Sequence, residues 1–212
     1  MSAAAGSAAA GGDQAWPAAA VTAPAGTRPL ELALRYALGA AAAAAPELMP
    51  CPTPCRGWDL RTLLLHAGES LAALAEGFND GRVGLLAAAD CPGAEGDPAL
   101  PFRERGRDLL TRCVSAAGDG AGVIAVAGCP MAMSTLIVAG AIEIAVHGWD
   151  ISRACGRRLP IPEPLAADLL RVAPVLIGPG DRGFLFAPPV SVAAGASASD
   201  RLAAFLGRRP GP

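Results

Sequence analysis

Three polar residues of types that bind metal ions, His66, Glu143 and His147, stand in otherwise apolar stretches of this 212-residue chain. The chain has only two histidines, and both are in this set. Glu143 and His147 are four residues apart in Glu143-Ile144-Ala145-Val146-His147. On a helix that spacing puts them on one face, with Cβ atoms about 5–6 Å apart. A carboxylate and an imidazole can then reach one ion from a single helix, and a second helix carrying His66 supplies a third donor. Three N/O donors with an open position describe a catalytic rather than a structural metal site. Around Glu143 and His147 the segment is apolar nearly all round, with Met131, Met133, Leu136, Ile137, Val138, Ile142, Ile144, Val146 and Ile151. Such a helix is buried. An unpaired carboxylate inside it is costly and takes up a proton rather than stay charged. A divalent cation shared with His66 resolves that cost. An arginine partner resolves it too, and His66 alone reads equally well as a hydrogen-bonded core histidine, so residue types leave both readings open.

Neighbours extend the pattern. Ala139 and Gly140 lie one helical turn before Glu143 and leave space for a substrate, or else for a closely packed helix. Glu69, three residues after His66, has three readings: an acceptor for a ligand imidazole, a general base, or a solvated side chain. Asp150 can orient the ring of His147 or cap a loop. Trp58 and Trp149 read as core packing. The chain has no lysine, which excludes a Schiff-base lysine and a P-loop lysine. It also has no Walker loop and no nucleophile elbow. A net charge of −2 and a pI near 5.7 favour neither nucleic acid nor anionic membrane.

The elements that must position these residues read as helices. The expectation is helix from Pro29 to Ala45, from an N-cap at Asp59 to Gly77, from Pro101 to Ala117 with its Arg-rich half in solvent, and from Met131 to Cys155. Gly156 and the prolines at 160, 162 and 164 end the fourth. A fifth helix from Pro164 to Leu176, a tail with Phe184, Phe186 and Val190, and a last helix from Ser199 to Leu206 follow. Residues 79–100 read as a loop. The stretch from Gly122 to Ile142 is uncharged, but its Pro130 and glycines argue for an extended run over 122–127, a turn at Gly128-Cys129-Pro130 and a buried helix, not a membrane span. Residues 1–28 read as a disordered Ala/Gly-rich tail in which Trp16 can dock locally, and residues 29–212 as one helical domain. The six cysteines include a C-x3-C at Cys51 and Cys55 with no second ligand pair, which argues against structural zinc. Without a basic signal region before residue 27, the expectation is reduced thiols in the cytoplasm.

The run Thr53-Pro54-Cys55-Arg56-Gly57-Trp58-Asp59-Leu60-Arg61-Thr62-Leu63-Leu64-Leu65-His66 resembles the actinobacterial metal-binding branch of the mycothiol-dependent maleylpyruvate isomerase family, within the DinB-like superfamily. So do Glu143-Ile144-Ala145-Val146-His147-Gly148-Trp149-Asp150-Ile151-Ser152-Arg153-Ala154 and Ala198-Ser199-Asp200-Arg201-Leu202-Ala203-Ala204-Phe205-Leu206-Gly207-Arg208. The resemblance implies an all-α, DinB-like four-helix bundle with a short irregular C-terminal extension. It implies a divalent metal, usually zinc, on His66, Glu143 and His147, and a small thiol, typically mycothiol, as cofactor or co-substrate. Ala139, Gly140 and Arg153 are then the expected thiol- or substrate-binding positions. The implied activity is S-transfer of the thiol to, or isomerisation of, a small electrophile. The alternatives are a non-catalytic metal or thiol sensor and a metal-dependent hydrolase. Thr62 departs from relatives that carry an acid near the start of the second helix. The C-terminal part is shorter than in the isomerase, so the expectation is thiol binding rather than maleylpyruvate isomerisation itself.

Overall fold

A computed structural model describes residues 26–84, 96–115, 121–183 and 185–211. The expectations for the N-terminal tail with Trp16, for the loop around Cys91, for the end of the third helix near Ala117 and for Phe184 lie outside these residues. Four helices form the bundle: α1 (Arg28–Ala41), α2 (Leu60–Asp80), α3 (Ala99–Ser115) and α4 (Met133–Ala154). In cross-section the ring order is α1, α4, α2, α3, with α1 diagonal to α2 and α3 diagonal to α4. The protein is all-α and DinB-like, with a small three-stranded sheet added at one end.

Local chemistry sets the helix limits. Leu30, Ala33, Leu34, Ala37, Ala40 and Ala41 recur at helical spacing and form the buried face of α1. The helix stops at Ala41, short of the expected Ala45, because Pro46 holds Ala45 extended at φ −107° and ψ 155°. Asp59 caps α2 as expected, its Oδ1 accepting from the Thr62 N–H at 2.8 Å. Gly77 does not end that helix. A Cβ there would lie 2.5 Å from Leu136 Cδ2, so Gly77 is a close-packing position inside α2, and the left-handed stop is Gly81 at φ +63°. α3 starts two residues before the expected Pro101, with Asp97 Oδ1 accepting from the Ala99 N–H at 2.9 Å. Its arginines are not all turned to solvent. Arg103 donates to the Ala41 carbonyl and Arg105 to the Gly68 carbonyl, tying α3 to both neighbours.

Between α2 and α4 the chain forms β1 (Arg82–Val83), parallel to β2 (Val123–Val126), which pairs antiparallel with β3 (Cys129–Ala132). The turn of that hairpin is Ala127-Gly128, with both residues at positive φ (51° and 79°). Residues 129–132, expected as turn and helix start, are therefore a strand. Pro130 fits because β3 is an edge strand of the sheet. α4 is long and apolar enough by composition to cross a membrane, with a mean hydropathy of 1.2, but 72% of that stretch is buried in the bundle. Gly148 lets α1 approach α4, since a Cβ there would stand 3.0 Å from Ala37 Cα.

The C-terminal extension carries the two helices expected there. α5 (Glu163–Leu176) packs against α6 (Ala198–Phe205), and the two are stitched by Ser199 Oγ, which accepts from the Ile161 N–H, and by Glu163, which accepts from the Ala198 N–H. The segment between these two helices carries a short 3₁₀ turn, Pro179–Asp181.

Candidate metal centre

α2 and α4 are neighbours in the ring, and this brings the expected trio together. His66 Nε2 lies 2.9 Å from Glu143 Oε1, and His147 Nε2 lies 3.1 Å from the same oxygen. The donor atoms of the three residues all fall within 4.8 Å of one another. Ser70, one turn after His66 on α2, donates to Glu143 Oε1 at 3.1 Å. The site is open on one side: the His66 side chain is 39% exposed and that of Glu143 27%, against 7% for His147.

The other nitrogen of His147 faces inward. His147 Nδ1 stands 3.2 Å from Asp150 Oδ2, and Asp150 is fully buried. Arg208 grips that carboxylate at two points, Nε to Oδ1 at 3.3 Å and a terminal nitrogen to Oδ2 at 2.8 Å. The arginine that the sequence left open as a partner for Glu143 does not hydrogen-bond it among the described residues; Glu143 faces His66, His147 and Ser70, and Arg208 takes Asp150 instead. Cys55 completes the group: its thiol donates to Asp150 Oδ2 at 3.1 Å and lies 4.0 Å from His147 Nδ1.

The loop before α2 delivers Cys55 and Trp58. Thr53 Oγ1 donates to the Trp58 carbonyl at 3.0 Å and accepts from the Cys55 N–H at 3.2 Å, while Gly57 turns the chain at φ +82°. This sets the Trp58 ring edge-on to His66, centroids 4.8 Å apart, and 6.3 Å from His147. Trp58 packs against the core, as expected, and also walls the site.

Charge is concentrated here. Burial works to raise the Glu143 carboxyl, but the charge of His147 and the hydrogen bonds from both imidazoles hold it well below the usual carboxylate range. Burial likewise disfavours a charged His147, yet Glu143, Asp150 and Cys55 together push its proton affinity well above the ordinary histidine value. For Asp150, burial is outweighed by Arg208 and by the His147 hydrogen bond, and its carboxyl stays ionised. Glu143 Oε1 thus faces both ring nitrogens and the Ser70 hydroxyl at once.

The other expected site residues are distributed differently. Ala139 is exposed one turn before Glu143. Gly140 is a correction: a Cβ there would lie 2.5 Å from Leu74 Cδ2, so the space beside it is filled by α2 and is not a ligand pocket. Arg153 stands further along α4. It is ten residues past Glu143, about 15 Å along the helix, and its guanidinium stacks over Trp149 at 4.5 Å from the ring centroid. Glu69 is half-buried between His66 and Ser70, and the hydrogen bond to Glu143 comes from Ser70. Of the groups the sequence reading missed, Ser70 was findable at helical spacing from His66 and Arg208 closed one of the quoted motifs. Cys55 carried no local signal of its place.

Fold and site together define a helical-bundle protein with a His/Glu/His donor trio between two neighbouring helices. The chain belongs to the family described as mycothiol maleylpyruvate isomerase N-terminal domain, whose profile matches residues 30–152. It is also similar to two uncharacterized proteins of Mycobacterium tuberculosis, one from strain CDC 1551 / Oshkosh and one from strain ATCC 25618 / H37Rv. Each is 27% identical over 160 residues, covering 74% of this chain and 83% of the relative. No solved structure matches.

Proposed function

We propose that His66, Glu143 and His147 hold a divalent metal, zinc by resemblance, and that the protein is a cytoplasmic enzyme that activates a low-molecular-weight thiol, mycothiol, toward a small electrophile. The observation that carries this reading is the convergence of two Nε2 atoms and one carboxylate oxygen within 4.8 Å, on a side of the bundle that solvent reaches. Donors around a tetrahedral ion at ~2.1 Å stand ~3.4 Å apart, close to the 2.9 and 3.1 Å separations from Glu143 Oε1. A divalent ion there supplies positive charge and an open position, which favour the thiolate form of a bound thiol.

The chain's own residues do the rest. Glu143 contributes the negative charge, with Ser70 fixing the oxygen that faces both imidazoles. Asp150 accepts from His147 Nδ1, so the Nε2 lone pair is the one presented to the trio. Trp58 and exposed Ala139 flank the open side, where a thiol and its electrophile would meet. S-transfer and thiol-assisted isomerisation both begin with that encounter.

Cobalt substitution tests the reading. Adding mycothiol to the cobalt protein is expected to produce a sulfur-to-cobalt charge-transfer band, absent in His66→Ala and with an S-methylated analogue. A folded, cobalt-loaded protein whose spectrum ignores every thiol would contradict thiolate activation.

A further inference from the structure

The ring of His147 stands between two donor clusters. On its Nε2 side are His66 and Glu143; on its Nδ1 side are Cys55 and Asp150. Each group of three offers donor atoms within 4.8 Å, and the second includes a sulfur, which suits zinc and other thiophilic ions. Nothing in the donor types alone keeps an ion out of the second cluster. Arg208 does: one terminal nitrogen is 2.8 Å from Asp150 Oδ2 and 3.1 Å from Cys55 Sγ, and Nε is 3.3 Å from Asp150 Oδ1. Its guanidinium is buried, with 8% of the residue exposed.

That position is set by the end of α6. Gly207 at φ +81° is the left-handed residue of a helix stop in which the Gly207 N–H bonds to the Ala204 carbonyl and the Arg208 N–H to the Ala203 carbonyl. No side chain fits at 207, because a Cβ would lie 2.7 Å from the Ala187 carbonyl oxygen. The reversal turns Arg208 back into the bundle, where it also donates to the Leu206 carbonyl. Arg208 lies well beyond residue 152, where the family match ends.

We propose that Arg208 is a positioning residue of the metal centre, which fixes His147 through Asp150 and occupies the Cys55–His147–Asp150 cluster with a permanent cation, so that the ion is confined to the His66–Glu143–His147 side. This rests on the assignment of those three residues as ligands. Arginine suits the role because it stays charged and grips a carboxylate at two points. The C-terminal extension is then part of the site rather than an appendage.

The test compares cobalt titrations, without added thiol, of the full chain and of Arg208→Gln, Arg208→Lys and the double variant Arg208→Gln/Cys55→Ser. Folding is followed by circular dichroism. Wild type is expected to bind cobalt with no sulfur-to-cobalt band. Arg208→Gln is expected to gain that band through Cys55 and to lose about 10- to 100-fold in affinity, and the double variant to lose the band. Arg208→Lys keeps the charge but not the two-point grip; it is expected to stay free of the band and to bind about threefold or more weakly. If Arg208→Gln does not fold, Arg208→Lys decides, and an affinity equal to wild type overturns the proposal. Wild-type affinity and spectrum in Arg208→Gln overturn it while leaving the ligand assignment intact. A wild type that takes up no cobalt overturns the ligand assignment and, with it, this proposal.

Discussion

Replacing Glu143 by glutamine keeps the shape of the side chain and removes its charge. In the metal-free protein Glu143 Oε1 faces His66 Nε2, His147 Nε2 and Ser70 Oγ at 2.9, 3.1 and 3.1 Å. A hydrogen bond to a charged group contributes ~1.5–3 kcal/mol and a neutral one ~1. Because a quarter of this side chain is exposed, screening lowers the difference. The expected loss is then ~1–2 kcal/mol, or about 2–8 °C in Tm for a domain of this size. The effect on metal binding is larger. An ion at a concentration of ~100 Kd stabilises the wild type by ~2.7 kcal/mol through mass action. If losing the carboxylate weakens binding ~100-fold, the same concentration is only ~1 Kd for the variant and yields ~0.4 kcal/mol. In a thermal-shift assay with zinc, the metal-induced rise should fall from ~5–10 °C to ~1–2 °C. An equal rise in wild type and Glu143→Gln would refute the reasoning, because Glu143 would then not be a ligand.

The pH dependence of the metal-free protein has two limbs. Glu143 is held well below its ordinary value of 4.5, so its contribution is present above 4.5 and lost as pH falls through the depressed folded value. His147 is held well above 6.5, so its contribution is complete below 6.5 and lost as pH rises through the elevated folded value. Tm in the presence of chelator should therefore be greatest between 4.5 and 6.5 as far as this pair is concerned; a Tm that climbs steadily through the alkaline range contradicts the pairing. Gly140→Ala puts a Cβ against Leu74, which costs about 1–3 kcal/mol of overpacking less ~1 kcal/mol of gained helix propensity. Chemical denaturation should show lowered stability and calorimetry an unchanged metal affinity; the reverse would restore Gly140 to the ligand pocket. Alkylation followed by mass spectrometry should label exposed Cys129 early and Cys113 last among the described cysteines, because Cys113 is fully buried and its thiol is pushed up to about 11. Early labelling of Cys113 in folded protein would contradict the packing of α3.

Much of the bundle was legible because apolar spacing, caps and stops are local. Asp59, Gly156 and the prolines marked helix limits that the structure shares. Where local signals were ambiguous, tertiary contacts decided. Gly77 looks like a stop and is a packing position against Leu136, and Gly140 looks like room and is filled by Leu74. The hairpin was missed because Ala127, a non-glycine residue at positive φ, shares its turn with Gly128. The convergence of His66, Glu143 and His147 was readable because two of the three share a helix face and the chain offers no other histidine. Of the layer behind them only Asp150, three residues from His147, was readable; Cys55 and Arg208 join it across separations of 95, 58 and 153 residues, which no local period encodes.

Metal content tests the central claim most directly. The protein, purified without chelator or added metal, is measured by elemental analysis beside the double variant His66→Ala/His147→Ala, with folding checked by circular dichroism. The account predicts about one divalent ion per chain in the wild type, as a three-donor site with one open position requires, and almost none in the folded variant. Equal metal content in the two proteins would contradict it.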